Sequence, residues 1–326
     1  MSGARVRSVV ATLVPLLLLA SALALVFSRL RNPSAVLTLW RPWAEIGALA
    51  CGMTAVIVSG GIDLSVGSSV ALCSVVLGLA WSRLGCPIAP ACTLAVLAGV
   101  LAGALNGTLV SLGIAPLVAT LATMACYSGL AMALSGGERI TGFPEQFTRL
   151  GQGDLWGLPY QLWLLPAVAL AWSTMLHRSR FGRSLFAIGD NRTAAEFAAL
   201  PVRRREWWLY TLNGLLAGVV ALSYTARGGA AVPNAGAGLE LQVIAGVVLG
   251  GTRVTGGAGG IGRTLLGVAI LAHLEIGLRL LGNVTVRFPG TALDLNLNAN
   301  GRLVVIGILF IAVAVLNERL AGPRRI

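Results

Sequence analysis

Residues 44–82 read AEIGALACGMTAVIVSGGIDLSVGSSVALCSVVLGLAWS, two apolar runs (44–59 and 66–82) that meet in the stretch Gly60-Gly61-Ile62-Asp63-Leu64-Ser65-Val66-Gly67-Ser68-Ser69. Each run is close to the length a helix needs to cross the hydrocarbon of a bilayer. Glycine weakens a helix interior and a carboxylate is costly in lipid, so the stretch predicts a helix broken near Asp63. Broken backbone is tolerated at membrane depth only where protein buries it or water reaches it, and an ionisable group there is a candidate for a solute or ion pathway. A plainer role is open to the same residues: Asp63 or Ser65 can cap the helix that starts near Val66.

The rest of the chain agrees with lipid as its solvent. Of 326 residues, 56% are hydrophobic and 11% charged, and the mean hydropathy is +0.83, far from the balance of a soluble globular domain. Further apolar segments run at 9–27, 90–112, 114–134, 160–176, 207–225, 239–252, 263–281 and 303–320. The predicted fold is therefore all-α: a polytopic membrane helix bundle of about ten transmembrane segments, forming a single domain over 1–326. The first segment, Val9 to Phe27, is longer than the apolar core of a secretory signal and is followed by Arg29 and Arg31, so it reads as a spanning helix.

The net charge of +12 arises entirely from arginine, because the chain has no lysine. A phosphate-binding loop of the G-x-x-x-x-G-K-[ST] type needs that lysine, so the chain lacks this route to hydrolysing ATP itself. Arginine concentrates in the loop His177 to Glu206, at positions 178, 180, 183, 192, 203, 204 and 205. By the positive-inside rule the loop is cytoplasmic, and an even number of spans puts both termini on the same side. The excess of arginine thus reflects membrane topology and calls for no nucleic acid. The loop Ser135 to Pro159, with mixed charge and Gly and Pro punctuation, reads as external.

Several residues are candidates for chemistry. Gly238-Leu239-Glu240-Leu241-Gln242-Val243 echoes the Asp63 stretch, placing a second acid in an apolar, Gly-flanked segment, and transporters are often built of related halves that meet at broken helices. Glu240, Glu275 and Asn106, with Asp63 and Ser65, could line a polar route for a hydroxyl-rich solute, since carboxylate and amide oxygens accept hydrogen bonds from hydroxyls. For Asn106 an interhelical hydrogen bond that holds the bundle together is favoured. In the cytoplasmic loop, Thr193-Ala194-Ala195-Glu196 has the spacing of a capping box, predicting a short helix that Pro201 ends. Ala194, Phe197 and Ala198 fall on one face of it, which fits either a partner's groove or the anionic inner leaflet.

Other signals are discounted. Gly257-Ala258-Gly259-Gly260-Ile261-Gly262 has the dinucleotide-loop spacing, but no acid stands about twenty residues on to hold a ribose. His177 and His273 offer no metal pair, and Cys51, Cys73, Cys86, Cys92 and Cys126 read as packing residues, with a Cys86–Cys92 bridge as the lesser alternative. No metal and no cofactor is expected.

Taken together, these stretches resemble the permease subunits of ribose-type sugar importers of the ATP-binding cassette class, whose members handle ribose, xylose, galactose, rhamnose and autoinducer-2. The resemblance covers nearly the whole chain. It is carried first by Gly60 to Ser68 and then by Ala115-Pro116-Leu117-Val118-Ala119-Thr120-Leu121-Ala122-Thr123-Met124, where Ala122 replaces the usual Gly. Glu240-Leu241 through Gly250-Gly251-Thr252 and Gly256-Gly257 is similar to the family's second Gly-rich block. Phe181 to Asn191, followed by Ala194 and Ala195, resembles the segment that contacts the ATPase. The chain departs from the family at Glu275, where Asn is common, and over Leu293 to Gly301.

The resemblance implies a permease of a bacterial inner membrane that imports a monosaccharide or similar hydroxylated solute. Its implied partners are a second permease copy, in a homodimer or a heterodimer with a related subunit, a cytoplasmic ATPase subunit, an extracytoplasmic sugar-binding protein and the lipid bilayer. It assigns coupling to Gly182, Gly189, Asn191, Thr193, Ala194, Ala195, Glu196 and Phe197, and leaves ATP hydrolysis to the separate subunit. An ion-coupled secondary transporter, with Asp63 or Glu240 holding the ion, is the competing reading.

Overall fold

The computed structural model describes residues 33–281, 284–288 and 291–295, with the single positions 301, 304 and 307. The expected span 9–27 and nearly all of 303–320 lie outside the described residues. The chain divides into two compact units, one of residues 40–268 and one of residues 1–39 with 269–326.

The larger unit is helical. It holds α1 (Pro33–Val58, from Trp40 onward), α2 (Val66–Ser82), α3 (Ile88–Ser111) and α4 (Pro116–Ser135). After α5 (Glu145–Gln152) and a hairpin of β1 (Asp154–Leu155) and β2 (Leu158–Pro159) come α6 (Tyr160–Arg178), α7 (Arg180–Asp190) and α8 (Arg192–Phe197). It closes with α9 (Val202–Gly228), α10 (Leu239–Leu249) and the start of α11 (Ile261–Leu281). By length and composition α3, α4 and α9 can each cross a membrane. At 11 residues, α10 rises only about 16 Å, roughly half the hydrocarbon thickness, so the segment predicted at 239–252 is a half-helix.

Glycine sets how the helices pack. Along α3, Gly99, Gly103 and Gly107 face the backbone of α9, and a Cβ at any of them would collide with the carbonyls of Gly214, Tyr210 and Trp207 respectively. Lipid offers no hydrophobic drive between helices, so close backbone approach through small residues is what holds such a pair. Gly267 of α11 meets Gly246 of α10 and Gly250, the residue that caps its C-terminus, in the same way.

The loop Ser135 to Pro159 is more ordered than its Gly and Pro punctuation suggests. Phe143 and Phe147 insert among Leu77, Ala80, Ala91, Ala95, Ala226 and Ala231, anchoring α5 over the end of the bundle. Charges finish the attachment. Arg41 pairs with Asp154 at 2.8 Å and donates to the Gly151 carbonyl at 2.6 Å, while Arg227 pairs with the buried Glu45 at 2.9 Å. Removing Arg227 would leave the Glu45 carboxylate buried and unpaired, a loss of about 3–5 kcal/mol.

In the smaller unit, α11 continues from Ala269, and β3 (Val284–Phe288) pairs antiparallel with β4 (Thr291–Leu295). The sequence reading assigns no strands there. Val284-Thr285-Val286 has the β-branched composition that suits a strand, in a stretch too short to register as a span.

Candidate functional site

The chain leaves α1 at Val58, turns through Gly60 at φ +86°, and enters α2 at Val66. The helix is thus broken where the sequence predicts it. Asp63 is 3% exposed and its carboxylate accepts three hydrogen bonds. The Ser65 N–H and hydroxyl donate to Oδ1 at 2.9 and 2.7 Å, and the Asn213 amide of α9 donates to Oδ2 at 2.7 Å. Ser65 occupies the N-cap position of α2, but its hydroxyl is turned to Asp63, so the side chain caps nothing. Asp63 instead closes the turn by taking the N–H two residues on, a habit of Asp in turns.

The network extends into two more helices. The Asn106 amide of α3 donates to Ser65 Oγ at 2.7 Å, and Tyr127 of α4 donates to the Ala102 carbonyl at 2.8 Å, with Asn106 Oδ1 3.3 Å away. Thr120 of α4 shares its hydroxyl between the carbonyls of Ile62 (3.0 Å) and Pro116 (2.8 Å). The break is therefore tied to α3, α4 and α9 by buried polar groups. Among the described residues Asp63 makes no ion pair.

Glu240 stands in the first turn of α10, half-buried, with Oε1 accepting from the Gly238 N–H at 3.1 Å. An acid in that position also complements the positive end of the helix dipole. The two acid-bearing breaks touch: Gly67 at the start of α2 lies against the backbone of Gly236 and the Glu240 carboxylate, leaving no room for a Cβ. Glu275 is half-buried on the part of α11 that belongs to the smaller unit.

The coupling segment folds as α7 and α8. Ser179 caps α7, accepting from the Gly182 N–H at 3.0 Å, and Gly182 rests on the carbonyls of Met175 and Leu176. The cap of α8 is Asn191, not Thr193. The Asn191 backbone is extended, and its side chain accepts from the Ala194 N–H at 2.9 Å, as expected of a residue at least as good at capping as threonine. Thr193 lies inside the helix, and Glu196 faces Arg192 at 3.3 Å instead of reaching back to the cap. Arg192 also forms a two-pronged pair with the buried Glu206 of α9. Ala195 packs inward with Ile188 and Val202, while Thr193, Ala194 and Ala198 are exposed and Phe197 is 88% exposed.

Gly189 joins this segment to the break. A Cβ on it would strike the Val58 carbonyl and the Gly257 N–H, which are themselves hydrogen-bonded at 2.9 Å, and Gly256 approaches Gly60 in the same place. Beside this contact opens a cavity of about 320 Å³, lined by Gly60, Gly61, Gly189, Arg192, Glu206 and Tyr210 among others. The Tyr210 hydroxyl abuts Gly61 and has no hydrogen-bond partner among the described residues.

Sequence reasoning missed Asn213, Tyr127, Thr120 and the Arg192–Glu206 pair. Thr120 had a signal, because it sits within the quoted Ala115–Met124 stretch. Asn213 had none, being a single amide in a span with no motif around it.

A bundle of spanning helices with two internal breaks in contact, and a basic loop packed against one of them, defines a multi-pass transport permease. Comparison of sequences narrows the class. The chain matches, over residues 36–314, the family described as the permease component of the branched-chain amino acid transport system, and it belongs to that family. It is 39% identical over 244 residues, 73% of each chain, to the autoinducer 2 import system permease protein LsrD of Yersinia enterocolitica. The protein of the same name from Photorhabdus luminescens is 39% identical over 245 residues, again 73% of each chain, and that of Yersinia pseudotuberculosis is 38% identical over 244 residues. No solved structure matches the chain at a significant level.

Proposed function

We propose that this chain forms the membrane path of an ATP-driven importer in a bacterial inner membrane, carrying a small neutral hydroxylated solute of the autoinducer 2 or monosaccharide kind. The solute class is supported by the similarity to permeases named for autoinducer 2 import and by spans that hold few charges in the membrane. A second permease copy completes the path, a binding protein delivers the solute from outside, and an ATPase subunit docks on the cytoplasmic loop 177–206. Both termini lie with that loop.

The observation that carries the reading is the contact of Gly189 with Val58, Gly60 and Gly256–Gly257. The end of α7 lies against the break that leads to Asp63, with no side chain between to absorb movement. Motion imposed on α7 and α8 by a nucleotide-driven partner is passed directly to α2, and through Gly67 and Gly236 to α10. The exposed Phe197, with Ala194 and Ala198 beside it, supplies the apolar knob such a partner would grip. An ion-coupled mechanism would need Asp63 or Glu240 open to a cation, whereas Asp63 has three donors around it and Glu240 turns to a backbone N–H.

Docking is tested with Phe197→Asp and Ala194→Asp in the complete importer. Both side chains are solvent-exposed, so the permease itself should keep its melting temperature, a surface change being worth within about 0.5 kcal/mol. ATPase co-purification and solute-stimulated hydrolysis should be lost. Unchanged uptake would remove the docking role.

A further inference from the structure

We propose that the β1–β2 hairpin is an interfacial anchor, holding Trp156 in the headgroup region of the bilayer beside Trp163. The hairpin pairs Asp154 with Pro159 and Leu155 with Leu158, leaving a two-residue loop of Trp156 and Gly157 with φ of +54° and +78°. A two-residue loop with positive φ at both positions suits Asn, Asp or Gly; a bulky aromatic at the first is sterically unfavourable. Gly157 fits its place and Trp156 does not.

Among the described residues nothing offsets this. Trp156 is 83% exposed, and its ring contact is an edge-on one with Trp163, centroids 5.5 Å apart at 81°. A residue held in an unfavourable conformation with its largest apolar surface outside the protein implies a contact beyond the chain.

Lipid is the occupant the geometry favours. Trp163 lies in the first turn of α6, and the Trp156 ring meets it edge-on. The stripe continues down α6 through Ala167, Leu170 and Thr174, all exposed and at helical spacing, with Leu170 71% exposed. The indole N–H of Trp163 points back to the Leu155 carbonyl at 3.3 Å, an apolar ring with its polar edge turned to the wetter hairpin. Asp154, the one charge in the hairpin, is already paired with Arg41.

Depth agrees. Gly151, just before the hairpin, packs on Arg227 in the last turn of α9, while a second pair, Trp207 and Trp208, lies in the second turn with centroids 4.9 Å apart. The stretch of α9 from Trp207 to Arg227 rises about 30 Å, close to the hydrocarbon thickness, so the two tryptophan pairs stand where Trp concentrates in membrane proteins.

The test uses the complete importer in vesicles of phosphatidylcholine with or without bromine at acyl carbons near the headgroup, comparing wild type with Trp156→Phe. The fluorescence lost in the variant is the Trp156 signal, and the Phe ring keeps the edge contact with Trp163. The expected result is quenching of that signal by brominated lipid, with little effect of aqueous iodide or added binding protein. Quenching by iodide but not by lipid would overturn the proposal. So would protection from both quenchers, which assigns the hairpin to a second permease copy, or shielding that appears only with the binding protein.

Discussion

Two glycine-flanked acids open two broken helices, and their surroundings differ. Asp63 is enclosed, with α3, α4 and α9 contributing to the polar network around it, whereas Glu240 is half-buried and, among the described residues, bonded within its own turn. Both sequences set an acid among glycines where a helix begins. The helices they lead into separate them: α2 is long and packed against α3, α4 and α9, while α10 stops after 11 residues. An acid can thus serve as the internal fastening of a broken helix or as the polar end of a short one, and its neighbours decide which.

The difference can be attacked by substitution, starting with the largest effect. Asp63→Ala leaves the Ser65 N–H, the Ser65 hydroxyl and the Asn213 amide without their acceptor. At about 1–3 kcal/mol for each unmet buried group, the detergent-solubilised protein should melt well below wild type or fail to accumulate in the membrane. Wild-type melting would show that the enclosure is not what holds the break.

Asp63→Asn should be much milder. The new amide keeps an acceptor for Ser65 and presents N–H groups to Asn213, whose Oδ1 has no partner among the described residues and can turn to meet them. Stability within about 1.5 kcal/mol of wild type is expected, the scale of one net hydrogen bond. Full uptake in this variant would show that the charge is dispensable; lost uptake in a stable protein would show that transport itself requires the carboxylate.

Glu240→Gln should change stability least, by at most about 0.5–1 kcal/mol, because it removes only a first-turn charge and weakens one hydrogen bond. If Glu240 faces the solute, uptake falls while the melting temperature holds. A melting loss as large as that of Asp63→Ala would erase the distinction between the two breaks.

Much of the fold was legible in the sequence, for a physical reason. Lipid requires long uncharged stretches, so the described spans between residues 33 and 281 stand close to the apolar segments, and the break at Gly60 to Ser65 is visible because glycines and a carboxylate violate that rule. The sequence marks Asp63, Ser65 and Asn106 as polar candidates, and the fold joins them in one network. Partners far away in sequence were not legible: Asn213 is 150 residues from Asp63, and Arg227 is 182 from Glu45. The spacing of Gly99, Gly103 and Gly107 carried the α3–α9 contact in plain view, but a glycine stripe does not announce its partner. Eight residues give little periodicity, so α5 does not show in the loop Ser135 to Pro159, and the capping-box spacing at Thr193 masks the cap at Asn191.

The energy source of transport is the point on which everything else turns. Uptake of labelled solute should be measured in vesicles holding the permease, its ATPase subunit and the binding protein, with ATP or an ion gradient supplied separately. The expected result is uptake with ATP on the ATPase side that persists when ionophores collapse every gradient. Uptake that continues without ATP and stops when the gradient is collapsed would contradict an ATP-driven importer.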